Sequence, residues 1–127
     1  MQVALAHPHL NGIGFDLAPV EPIFEAYVQS HLLGQRVRFS GGDFLNDSLP
    51  SAEVLVLGRV LHNCDLDTKK ELLAKASASL SRGGALIVYD RLIDDARRKN
   101  APGLLSSLNM LVMTPGGFDY TGQDCIG

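Results

Sequence analysis

Residues 54–65 read Val54-Leu55-Val56-Leu57-Gly58-Arg59-Val60-Leu61-His62-Asn63-Cys64-Asp65. An apolar run through Leu61, broken only by Gly58 and Arg59, is the pattern of a strand covered on both faces, and it delivers His62 just past its end. From Leu66 to Leu80 the residues Leu72, Leu73, Ala76 and Leu80 recur at helical spacing, with Asp65 and Asp67 suited to the first turn. Ser81-Arg82-Gly83-Gly84 stops that helix, and a second apolar run, Ala85-Leu86-Ile87-Val88-Tyr89, ends on Asp90. Strand, crossover helix and strand make a right-handed parallel unit of an α/β fold. Ligands bind in the loops at the carboxyl ends of such strands, so His62 and Asp90 are expected on one rim.

The length of 127 residues and a hydrophobic content of 46% suit one domain with a core. A net charge of -3 offers no basic stripe to neutralise phosphates, so neither nucleic acid nor an acidic membrane is expected as a partner. Arg91 with Arg97-Arg98-Lys99 is diluted by Asp94 and Asp95 and reads as a solvated loop. No apolar run approaches the ~20 residues that cross a bilayer, and Met1-Gln2-Val3-Ala4 has no signal-peptide character, so a soluble, cytoplasmic protein is expected. Cys64 and Cys125 lack CxxC or Cys/His ligand spacing and read as free thiols, with no metal site.

Along the rest of the chain, Val3, Leu5, Ala6 and Leu10 suggest a short helix tail, and Ile13-Gly14-Phe15 a strand ending at Asp16. Asp16 there either caps the helix that follows or accepts from a ribose diol. Pro19 opens a helix to about Leu33, with Val20, Ile23, Phe24, Tyr27 and Val28 as its buried stripe and Gly34 closing it. Val37-Arg38-Phe39 is a strand leading to Gly41-Gly42-Asp43-Phe44, either an ordinary turn with a core aromatic or a close-approach loop offering an acceptor and a flat apolar face. A polar linker, Ile93 to Pro102, precedes a helix from Gly103 to Met113, whose Met110 and Met113 belong to the core or to a pocket. Thr114 to Thr121 is turn-rich.

The strand ending in Asp16, Gly42-Asp43-Phe44, Leu49-Pro50, Leu57 to Asn63, Arg82-Gly83-Gly84 and Gly116-Gly117-Phe118-Asp119-Tyr120-Thr121 stand in one order. In that order the sequence resembles the S-adenosylmethionine-dependent O-methyltransferases of the caffeate and hydroxyindole type and their bacterial relatives. The resemblance implies a partial Rossmann-like methyltransferase core over residues 1–127, with a mostly parallel sheet and flanking helices. It implies that Asp16 holds the cofactor ribose, that Gly42, Asp43 and Phe44 flank the adenine, and that Arg59 lies near the cofactor's methionine end. His62 matches the general base, Asp90 and Asp119 stand where glutamates orient it, and Met110, with Met113 beside it, matches a substrate contact. The implied donor is S-adenosylmethionine, and the implied acceptor a hydroxyl of a small aromatic or polyketide-like molecule.

Such chemistry suits these residue types. A hydroxyl is a poor nucleophile until deprotonated, and a neutral imidazole takes its proton near pH 7. Compared with the family pattern, the glycine-rich loop after the first strand, the amino-terminal helical domain and the last strands are missing, and both orienting acids are aspartates, shorter by one methylene. The absent strand leads to an expectation of unpaired sheet edges or a rearranged sheet, hence of a homo-oligomer. The alternative is a non-catalytic remnant that folds or associates without turnover.

Overall fold

In the computed structural model, which describes residues 1–126, the chain divides into two compact units, Met1–Ser51 and Ala52–Gly127. The first contains helix α1 (Gln2–Ala6), strand β1 (Gly12–Asp16), helix α2 (Glu21–Ser30) and strand β2 (Val37–Gly41). β1 and β2 pair in parallel, Gly12 against Val37 through Asp16 against Gly41. Ala4, Val28, Leu33 and Val37 form the core, with Met1 and Phe24 packed on it.

Helix α2 is shorter than its sequence pattern predicts. It ends at Ser30, and the residue that takes the left-handed conformation is Leu32 (φ 56°), not Gly34. The N–H groups of Leu32 and Leu33 donate to the carbonyls of Gln29 and Val28, which closes a Schellman turn. Leu33 is thereby folded under, 2% exposed, while Leu32 is left 92% exposed; burying one leucine offsets the strained backbone of the other. The expected five-residue stripe also narrows to buried Val28 with Val20 and Phe24 partly buried, since Ile23 and Tyr27 face outward.

In the second unit, strands β3 (Ala52–Gly58) and β4 (Leu80–Tyr89) pair in parallel on either side of helix α3 (Leu66–Ser79) in sequence, followed by helices α4 (Ala101–Met113) and α5 (Gly122–Ile126). Helix α3 forms as its spacing predicts, and Asp65 caps it by accepting from the Thr68 N–H at 2.8 Å. Three expectations are corrected here. The strand stops at Gly58 rather than Leu61, because Arg59 adopts φ 57° and a 3-10 turn over Leu61–Asn63 follows. The Tyr89 ring packs over Gly58 at that end, in the space a Cβ would take.

Ser81 to Gly84 belong to β4 instead of a loop. A register irregularity between Ala52 and Val54 absorbs them, with Gly83 at φ 82° and Gly84 so close to Glu53 that a Cβ would lie 2.6 Å from its carbonyl oxygen. Finally, β3 and β4 are not covered on both faces among the described residues. Leu57 is buried, but Val54, Val56, Ile87 and Tyr89 are each about half exposed, so one face of a sheet made for double cover is open. The sheets have two strands each, which leaves outer edges unpaired among the described residues. No described helix is long and apolar enough to cross a membrane.

Candidate active site

The turn that follows β3 carries His62, 3% exposed, and a loop 57 residues later closes on it. That loop, Gly116 to Thr121, reads as an irregular surface turn in sequence but is mostly buried. Gly116 sits at φ 74°, and Gly117 packs so tightly on the preceding turn that a Cβ would lie 2.8 Å from the His62 carbonyl oxygen and 3.0 Å from Asn63 carbon. Only glycine allows that approach.

Asp119, fully buried, places Oδ1 3.1 Å from His62 Nδ1. A carboxylate accepts, so this contact suits the tautomer with its proton on Nδ1 and leaves Nε2, which has no hydrogen-bond partner among the described residues, as the acceptor nitrogen. The Asp119 N–H donates to Ser107 Oγ on α4 at 3.1 Å, which fixes the backbone from the other side. Asp119 Oδ2 and Asp90 Oδ1 are buried without partners among the described residues, leaving part of each acid's field uncompensated.

Asp90 is not bonded to the imidazole. Its Oδ2 accepts from the Tyr120 hydroxyl at 2.9 Å, so Asp119 contacts His62 and Asp90 anchors the loop that brings Asp119 there. Burial and the bond to Asp90 push the Tyr120 phenol well above its usual range, which keeps it a donor. Lys69, at 6% exposure, donates from Nζ to the Phe118 carbonyl at 2.9 Å, and its ammonium lies 3.1 Å from the centre of the Phe118 ring. Lys69, Ser107, Gly117 and Tyr120 received no role from sequence. The one signal for Lys69 was its position three residues before Leu72 on the buried stripe of α3.

The remaining candidates are placed differently. Asp16 is exposed at the end of β1, accepting from the adjacent Leu17 N–H at 2.8 Å and capping no helix with its side chain. Asp43 accepts from the Leu45 N–H and from Asn46 Nδ2, at 2.9 and 2.7 Å, within its own turn. Gly42 lies against the Phe15 ring, where a Cβ would be 2.5 Å away, and Phe44 follows, half-buried. The exposed Asp16 carboxylate stands at the carboxyl end of β1, beside Gly42, whose N–H donates to the Asp16 carbonyl at 2.9 Å; it is an acceptor of the kind a ribose diol needs. Arg59 is exposed, with its backbone N–H donating to the Tyr89 carbonyl. Met110 is half-buried and Met113 is 71% exposed. Cys64 is buried, its thiol pushed up by burial and turned to the Val60 carbonyl, and Cys125 is exposed, so both thiols are free. No group of three or more His, Cys, Asp or Glu suited to a metal gathers among the described residues.

Residues 1–124 match the family model of the O-methyltransferase domain. The chain belongs to the O-methyltransferase family. Over 121 residues it is 46% identical to the tetracenomycin polyketide synthesis 8-O-methyl transferase TcmO of Streptomyces glaucescens, covering 95% of this chain and 36% of that protein. It is 47% identical over 95 residues to the N,N-dimethyltransferase OxyT of Streptomyces rimosus, covering 75% of this chain and 28% of the relative. The structure superposes on human N-acetylserotonin methyltransferase in complex with SAM with a TM-score of 0.82 at 30% identity, covering 96% of this chain and 34% of that one. The chain spans about a third of the length of the relatives it matches.

Proposed function

We propose that this chain carries the methyl-transfer machinery of an O-methyltransferase, with S-adenosylmethionine as donor and a hydroxyl of a small aromatic or polyketide-like molecule as acceptor. The single observation that carries the reading is the buried His62–Asp119 pair, Nδ1 3.1 Å from Oδ1, an arrangement that leaves Nε2 for the acceptor. An amine attacks with its own lone pair, whereas a hydroxyl needs a proton removed as it reacts; an oriented imidazole therefore favours oxygen over nitrogen, although OxyT is named for N-methylation.

In this reading Nε2 of His62 takes the acceptor's hydroxyl proton while the oxygen forms its bond to the methyl carbon. Asp119 holds the imidazole in its tautomer and stabilises the imidazolium that results. Asp16 accepts from the ribose hydroxyls, Gly42, Asp43 and Phe44 border the adenine, Arg59 faces the methionine end, and Met110 and Met113 contact the acceptor. When bound, the sulfonium supplies an activated methyl whose carbon–sulfur bond breaks onto sulfur, giving S-adenosylhomocysteine and a methyl ether. We read residues 1–127 as a partial catalytic domain, and copies of it are expected to associate through unpaired strand edges, which light scattering reads.

Calorimetric titration with S-adenosylhomocysteine, followed by transfer of labelled methyl to a panel of phenols, tests the reading. Micromolar binding and transfer that is lost in His62→Ala are expected. A chain that binds no cofactor would be the non-catalytic family member instead.

A further inference from the structure

We propose that Lys69 is a positioning residue for His62: its buried ammonium clamps Phe118 by carbonyl and ring at once, and so holds the neighbouring Asp119 against the imidazole. The proposal rests on His62 as the base and adds what keeps that base oriented. Lys69 shares the buried face of α3 with Leu72 and Ala76, a place where an uncharged residue costs nothing and an ammonium costs its hydration. No carboxylate lies within ion-pair distance of it among the described residues. Its compensation comes from the loop itself: the Phe118 carbonyl at 2.9 Å, the Phe118 ring face at 3.1 Å and the Tyr120 ring at 5.2 Å. A desolvated ammonium over an aromatic face is held more strongly than an exposed one.

The geometry ties this clamp to the imidazole. Phe118 directly precedes Asp119, and Tyr120 directly follows it, so the two rings that meet Lys69 bracket the carboxylate that meets Nδ1. Gly117 against the His62 carbonyl and Tyr120 on Asp90 fix the ends of the segment, and Lys69 is the side chain that seizes its middle from α3. Burial pulls the Lys69 pKa down, while the charges of Cys64, Asp119, Asp90 and Asp65 resist, which fits a cation placed among acids it does not touch.

The test reads the tautomer of His62 in the full chain, labelled with ¹⁵N, by long-range proton–nitrogen correlation, with the signal assigned by its disappearance in His62→Ala. The unmodified protein should show Nδ1–H. Lys69→Met, which keeps the stem and removes the charge, should lose that signal and shift His62 towards Nε2–H, while His7, His9 and His31 stay put. Lys69→Arg should restore Nδ1–H, because a guanidinium both donates to the carbonyl and stacks on the ring. Phe118→Leu, which keeps the carbonyl and removes the ring, should weaken the signal partially.

A folded Lys69→Met protein with an unchanged His62 signal would overturn the proposal. Should Lys69→Met fail to fold, an unchanged signal in Phe118→Leu overturns it equally. Failure of cofactor binding or turnover with these tautomer shifts intact would instead overturn the proposed function and leave the clamp standing.

Discussion

The candidate residues of the two units are held in place in opposite ways. In the first, Asp16 bonds to the residue beside it and Asp43 to residues two and three positions on. In the second, His62 meets Asp119 across 57 positions, Lys69 meets Phe118 across 49, and Asp90 meets Tyr120 across 30. Short-range bonds shape a turn and leave an exposed acceptor for a ligand. Long-range bonds cost loop closure and are kept only where burial and partners offset it. The lesson is that, if the first set binds the cofactor as proposed, its substitution should be felt in affinity, whereas the second is built into the fold and should be felt in both chemistry and stability.

The largest expected effect tests the second region's chemistry. His62→Ala should lower methyl transfer by about 10²–10⁴-fold, the usual worth of a general base, with S-adenosylhomocysteine affinity unchanged in a calorimeter. Next, Asp16→Asn should weaken that affinity by the ~1.5–3 kcal/mol of a hydrogen bond to a charged group, with no change in Tm. If Asp16→Asn instead lowers Tm strongly, the contrast between the regions fails.

Gly117→Ala should destabilise the chain by ~1–3 kcal/mol in a denaturant titration and reduce transfer as well, because the added methyl meets the His62 carbonyl at 2.8 Å, backbone that cannot swing aside. Asn100→Ala separates stability from chemistry within the second region. Asn100 Oδ1 accepts from the Gly103 N–H at the start of α4, and its Nδ2 donates to the Leu92 carbonyl, so about 1 kcal/mol of stability should go, with little change in turnover.

The smallest effect is a dependence on acid. Backbone N–H donors hold Asp65 (from Thr68), Asp94 (from Asn100 and Arg98) and Asp124 (from Thr121) below the ordinary carboxylate value of 3.8. The folded values lie below the unfolded one, so the unfolded chain binds more protons in that range. Their contribution is present above 3.8 and is lost as the pH falls through the folded values. Thermal melts should therefore show Tm dropping below that pH, and dropping less in Asp65→Asn.

Helix α3, the parallel pairing of β3 with β4 and the acid at the end of β1 were legible because they depend on periodicity and on neighbours. The end of α2 was misplaced because glycine at 34 looked like the natural stop; the helix was stopped four residues earlier by the gain from burying Leu33. The span of β4 was missed for the reverse reason: Gly83-Gly84 reads as a breaker, yet the same glycines let a strand absorb a bulge.

By itself, the order of residues determined the α/β class through local pattern and, through its resemblance to a known family, the expectation that His62 is the group to watch. Only the folded chain decided that, of the two acids named, Asp119 meets the imidazole while Asp90 is taken by Tyr120, and that a lysine lies buried against Phe118 of the same loop. The physical reason is distance along the chain. A contact between residues fifty positions apart leaves no periodicity behind it, and a buried lysine or a tight glycine becomes meaningful only when the surface it presses on is known.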